Sequence, residues 1–198
     1  MVFFGFTRNK MAQAKTLTEK ELKQTLAFIA IGTHVVRNRT MLLLTHWAGL
    51  RVGEVAALRV GDVLAIDGGI KTEVRLLPEQ TKGKHPRTVF IGDRLRKELV
   101  TYVATLRYLS PERPLFYTQK RAGFSANTLC QHFHQMYRQA GIDGASSHSG
   151  RRTFITNLAG KGVAVRVLMA LAGHRNISTT QVYIDVNDDM QRAAVELV

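Results

Sequence analysis

Between Thr16 and Ala48 the apolar positions recur every three or four residues. Leu22, Leu26 and Ile29 form one stripe and Met41, Leu42, Leu44 and Trp47 a second, the spacing of a buried helix face. Thr18, followed three residues later by Glu21, has the form of a capping box, so a helix is predicted to start there. A second helix is predicted over 38–48, ended by Gly49, and a short third one over 50–58 with Arg51 near its beginning. From Val60 to Ile91 the texture changes to short β-rich runs. Stretches 63–66, 71–77 and 87–91 read as three antiparallel strands, joined by Asp67-Gly68-Gly69 and by a basic, glycine-containing loop over 79–86.

Helical spacing then returns. Asp93 precedes Leu95, Leu99, Tyr102, Val103 and Leu106, and Ser125 precedes Leu129, Phe133, Met136 and Tyr137; both polar residues are predicted N-caps. The last third reads as short helices over 149–161, 164–172, 178–184 and 188–197, with Gly162 and Gly173 at C-terminal caps and Ser178 as an N-cap. Met190, Ala193, Ala194 and Leu197 give the last of these an apolar stripe. The predicted class is α+β, a mainly helical domain with a small three-stranded antiparallel sheet. Residues 1–15 read as a flexible N-terminal tail and 16–198 as one domain.

Composition narrows the partners. Against 15 Asp plus Glu stand 28 Lys plus Arg, a formal net charge of +13, and such an excess favours a polyanion, chiefly nucleic acid, through counterion release. The single cysteine, Cys130, excludes a disulfide framework and fits a reducing compartment. Met1-Val2-Phe3-Phe4-Gly5-Phe6 is too short for a signal-peptide core, and no apolar run reaches the length of a membrane span. Cys130, His132 and His134 are two apart, on different faces of a helix, and no Cys-x-x-Cys accompanies them, so no metal is expected. Neither a phosphate loop nor a dinucleotide fingerprint is present, so no nucleotide cofactor is expected either.

Candidate chemistry is concentrated near the end. His148-Ser149-Gly150-Arg151 is followed by Leu171-Ala172-Gly173-His174 and then by Tyr183. Residues three apart are neighbours on a helix, and a helix N-terminus favours an anion, so His148 and Arg151 are placed to hold one phosphate together. Arg51 and Arg151 each offer a planar fork to the charge that builds on a phosphodiester during displacement. Tyr183 is the candidate nucleophile. A phenol needs a base, for which His148 is the candidate, and the departing oxygen needs an acid, for which Lys82 or Lys84 is.

Gly49-Leu50-Arg51-Val52-Gly53-Glu54 resembles the first arginine box of the tyrosine recombinases, also called the phage integrase family. Lys82 resembles their catalytic lysine, His148-Ser149-Gly150-Arg151 their H-x-x-R element, Leu171-Ala172-Gly173-His174 their L-G-H element, and Tyr183 their nucleophile. The resemblance runs in order from about Thr16 to Leu197. It implies a tyrosine recombinase catalytic fold in which Arg51, Arg151 and His174 bind the scissile phosphate of double-stranded DNA. Lys82 would protonate the leaving 5′ oxygen, His148 assist proton transfer, Tyr183 form a 3′-phosphotyrosyl link and Glu54 support the site. Lys84, Arg87, Arg121, Arg152 and Arg175 would contact DNA.

The resemblance further implies a cytoplasmic prokaryotic or phage protein that assembles as a tetramer on DNA, passing its C-terminal segment between protomers, with no cofactor or metal. Three features depart from the family pattern. Gly150 stands where leucine is frequent, Arg152 and Lys84 neighbour the expected Arg151 and Lys82, and only about 15 residues precede the catalytic domain where the family commonly has a separate core-binding domain. The expectation is either a short recombinase that works without that domain or a catalytic fragment of a longer chain. Type IB topoisomerase-like relaxation, or DNA binding without catalysis, are the alternative functions.

Overall fold

Thr18 opens the first helix. Its hydroxyl accepts from the Glu21 N–H, and the Glu21 carboxylate accepts from the Thr18 N–H at 2.9 Å, so α1 (Glu19–Ala30) starts at the predicted capping box. The computed structural model describes residues 14–120, 122–184, 195 and 196. Arg121, most of the predicted tail and nearly all of the helix predicted over 188–197 lie outside the described residues.

The centre is α2 (Val35–Trp47), where four consecutive residues, Met41 to Leu44, are at most 1% exposed. A helix apolar on every side must be covered on every side, and here α1, α5 (Asp93–Val103) and α7 (Ser149–Gly160) surround it. The helix begins before the predicted Asn38, because Val35 and Val36 already pack on the core after His34 turns the chain at φ 56°. α7 lies closest to it. A Cβ added at Gly150 would stand 2.1 Å from Thr45 Oγ1, so the residue before Arg151 has room for no side chain.

Two short helices follow, α3 (Val52–Ala57) and α4 (Val60–Val63). The second ends where the first of the three predicted strands, 63–66, was to begin. The Asp62 carboxylate accepts from the Arg59 N–H at 2.8 Å, which caps a helical turn and drives Val60 and Val63 into the core. Only a single bridge, Leu64 to Ile70, marks the expected strand. The sheet therefore has two strands among the described residues, β1 (Glu73–Leu76) and β2 (Arg87–Phe90), antiparallel with Glu73 opposite Phe90 and Leu76 opposite Arg87.

Beyond the sheet, Gly92 and not Asp93 is the N-cap of α5, and Ser125 caps α6 (Ala126–Gln139) as predicted, accepting from the Thr128 N–H. α6 packs on α3. α8 (Val165–Ala172) ends at Gly173, whose left-handed φ of 61° turns the chain sharply. α9 (Ile177–Gln181) is capped by Asn176, not Ser178, and is shorter than the predicted 178–184.

Candidate active site

Arg151 is 5% exposed and is seated by backbone. Its Nη1 donates to the Gly49 carbonyl at 2.6 Å, just past the end of α2, and its Nη2 donates to the carbonyl of Ala172, the last residue of α8. Terminal helix carbonyls lack intrahelical partners and carry the negative end of the helix dipole, so two helix ends form a socket for one guanidinium. Burial, then the like charges of Arg51 and Arg87, lower its pKa to about 9, which leaves it a cation at neutral pH.

Arg51 is placed by Glu54. The carboxylate accepts from the Arg51 N–H at 2.8 Å and from Nη1 at 2.9 Å, which fixes the start of α3 while leaving most of the guanidinium fork open. The same carboxylate takes Arg87 in a bidentate pair, Nε to Oε1 at 3.2 Å and Nη2 to Oε2 at 2.6 Å. Arg87 Nη1 then donates to the Leu171 carbonyl at 2.8 Å. Burial alone would raise the Glu54 pKa; the hydrogen bond and charge of Arg87, with the contribution of Arg51, outweigh it and hold the carboxyl below its ordinary value. Arg87, expected at the DNA surface, is thus turned inward, its side chain 8% exposed.

His174 follows the Gly173 turn. Its Nε2 lies 3.1 Å from Arg151 Nη2 and its Nδ1 lies 3.0 Å from Thr180 Oγ1. A guanidinium can only donate, so Nε2 is the acceptor and Nδ1 carries the hydrogen toward Thr180. Burial, then the charges of Arg151, Arg51 and Arg87, push its pKa down to about 4, and the ring is neutral at pH 7. Tyr183 stacks on this ring with centroids 6.0 Å apart and planes at 23°. The Arg152 guanidinium carbon lies 5.2 Å from the Tyr183 ring centroid.

Lys82 sits on an exposed turn with a fixed root. Gln80 Nε2 donates to the Ala57 carbonyl at 3.1 Å and to Asp62 at 2.6 Å, while the Thr81 hydroxyl accepts from the His85 N–H at 3.1 Å. Arg51, Lys82, Arg87, Arg166, His174 and Arg175 line an open cleft of about 1410 Å³, and among the described residues no Asp or Glu lines it. An adjoining hollow of about 530 Å³ shares Arg51 and Lys82 and reaches His148. His148 is the N-cap of α7, and burial, then the charges of Arg151, Lys82 and Arg51, hold its pKa below the ordinary value. Lys84 is exposed on the same turn as Lys82. Among the described residues no group of three or more His, Cys, Asp or Glu is placed to hold a metal ion, and no helix is long and apolar enough to cross a membrane.

Residues 15–190 match the phage integrase family. This chain belongs to that family. Among curated integrase-family relatives, tyrosine recombinase XerA of Pyrococcus furiosus is 30% identical over 192 residues, covering 92% of this chain and 61% of its own length. Tyrosine recombinase XerD of Xanthomonas campestris pv. campestris is 32% identical over 182 residues, covering 85% of this chain and 54% of its own. The integrase-family chain therefore spans roughly three fifths of the length of such relatives. A crystal structure of XerA recombinase superposes with a TM-score of 0.73 at 23% identity over 94% of this chain and 65% of the other. The Tn1549 transposon integrase, solved in complex with a circular intermediate DNA, superposes at 0.79 with 18% identity over 96% and 68%. These establish the integrase-family fold, mainly helical with its small antiparallel sheet.

Within this integrase-family fold, Arg51, Lys82 and His174 line the open cleft and His148 lines the adjoining hollow, while Arg151 and Tyr183 are joined to the cleft through their contacts with His174. Sequence reasoning did not find the structural task of Arg87 or the hydrogen bond of Thr180 to His174. A signal for Arg87 did exist. It alternates along the strand with Val89 and Ile91, both at most 5% exposed, and residues two apart on a strand share a face.

Proposed function

We propose that this chain is the catalytic unit of a site-specific DNA recombinase that cleaves and rejoins strands through a 3′-phosphotyrosyl intermediate. The observation that carries the reading is the joint of Arg151 to His174 and of His174 to Tyr183, beside a cleft that bears Arg51 and Lys82 and, among the described residues, no acidic lining residue. Arg51 and Arg151 grip the non-bridging oxygens of the scissile phosphate, and the Tyr183 oxygen attacks phosphorus. A bond from Tyr183 to phosphorus forms as the bond to the 5′ oxygen breaks. The phenolic proton passes to His148, which is poised as a neutral acceptor, and Lys82 gives a proton to the departing oxygen.

His174 changes role when the phosphate enters. Its Nε2 accepts from Arg151 in the free site; an arriving negative charge favours the protonated ring, which turns Nε2 into a donor toward the phosphate. The ester energy stays in the tyrosyl link, so rejoining requires neither ATP nor a metal ion. The partner is double-stranded DNA, on which the protein assembles as a tetramer in the cytoplasm of a prokaryotic or phage-infected cell. Relatives named as tyrosine recombinases in archaea and bacteria support this reading.

The test is to incubate the protein, in chelator, with nicked duplexes randomised around the nick and to isolate denaturant-resistant protein–DNA complexes. The complex is expected with the natural chain and not with Tyr183→Phe. Equal yields from the two would overturn the nucleophile assignment, and loss of the complex in chelator would overturn metal independence.

A further inference from the structure

Arg151 and Arg152 are adjacent in sequence but point to different work, because successive residues on a helix are about 100° apart. Arg151 enters the socket made by Gly49 and Ala172. Arg152, half-buried, donates through Nε to Thr16 Oγ1 at 3.1 Å and carries its guanidinium to 5.2 Å from the Tyr183 ring centroid. One planar cation therefore touches both the segment that leads into α1 and the candidate nucleophile. The segment is held a second time, since the Leu17 N–H donates to Thr153 Oγ1 at 2.8 Å, and Thr153 is fully buried on α7.

We propose that Arg152 is a positioning residue for Tyr183, and that it makes the placement of the nucleophile depend on the segment entering α1 at Thr16. The inference rests on the reading of Tyr183 as nucleophile. Tyr183 lies just past α9, a helix of five residues, so its own element constrains it weakly. The ring is located by what it touches, His174 and the face-on guanidinium of Arg152. The guanidinium is in turn oriented by the Thr16 hydroxyl, an acceptor 136 positions away in sequence. A displacement of the chain before α1 withdraws that acceptor, frees Arg152 and loosens the phenol. Attack on phosphorus requires the oxygen near its in-line position, so looser placement lowers the rate without weakening DNA binding.

The experiment measures single-turnover formation of the covalent complex on a nicked duplex that the natural chain cleaves, over a range of DNA concentrations. Arg152→Met is expected to lower the first-order rate at saturating DNA about tenfold and to leave the half-saturating concentration unchanged. Arg152→Lys, which keeps a cation over the ring, is expected to recover most of that loss. Thr16→Val is expected to lower the rate severalfold by itself and to add nothing to Arg152→Met, the non-additivity of residues acting through one contact.

A natural rate for Arg152→Met, or a loss seen only in half-saturation, overturns the positioning role, the second outcome making Arg152 a DNA contact. Full additivity of the two substitutions overturns the dependence on Thr16. Thermal unfolding of each variant separates these outcomes from misfolding, and Thr16→Val with Arg152→Lys carries the test if Arg152→Met does not fold. Complex formation by Tyr183→Phe would defeat the catalytic reading itself, a result distinct from any of these.

Discussion

At Gly150 an added Cβ would meet Thr45 Oγ1 at 2.1 Å and Thr45 Cβ at 3.0 Å, so the departure from the leucine frequent at that position is a matter of how near α7 comes to α2. Gly150→Ala is expected to cost about 1–3 kcal/mol of unfolding free energy, the usual range for overpacking a close contact. Urea denaturation checks this, and Thr45→Ala in the same chain should recover part of the loss by removing the oxygen. At this scale much of the candidate site can be proposed from the sequence alone. Arg51, His148, Arg151, His174 and Tyr183 carry their chemistry in residue type and short spacing, and Gly49 and Gly173 announce turns. The role of Arg87 was not legible, because what decides it is Glu54, 33 positions away, and Leu171, 84 positions away.

At the scale of elements, the Glu54–Arg87 pair ties β2 to α3 and to the end of α8. Glu54 is 1% exposed, and removing one partner of a buried pair leaves the other charge poorly compensated. Arg87→Met is therefore expected to destabilise the fold by about 3 kcal/mol in chemical denaturation, and adding Glu54→Gln should cost less than the sum of the two single changes. The elements misread from sequence fail for local reasons. The strand predicted over 63–66 is cut short at its start, because the Arg59 N–H and Gln80 Nε2 both donate to Asp62 Oδ2 and favour a helical turn that ends at Val63, leaving only the Leu64–Ile70 bridge. The start of α2 was placed three residues late because the polar run Arg37-Asn38-Arg39-Thr40 separates Val35 and Val36 from the apolar stripe that begins at Met41, so period alone did not place its boundary.

At the scale of the molecule, on the proposed function, a formal charge of +13 and a cleft without Asp or Glu among the described residues predict that DNA affinity falls steeply with salt. Arg175→Ala should weaken binding to all sequences alike and reduce the slope of log affinity against log salt by about one, as loss of a single phosphate contact does; filter-binding titrations across salt concentrations measure it. The socket of Arg151 has a further consequence. One of its carbonyls lies 102 positions before the arginine and the other 21 positions after it, so no partly folded chain holds that cation in place. On the proposed chemistry, a nascent or damaged molecule can adhere to DNA through its charge long before it can break a strand. On that chemistry the ability to cut waits until the ends of α2 and α8 have both packed on Arg151, which makes cooperative folding a safety catch on a reaction that a cell cannot leave half controlled.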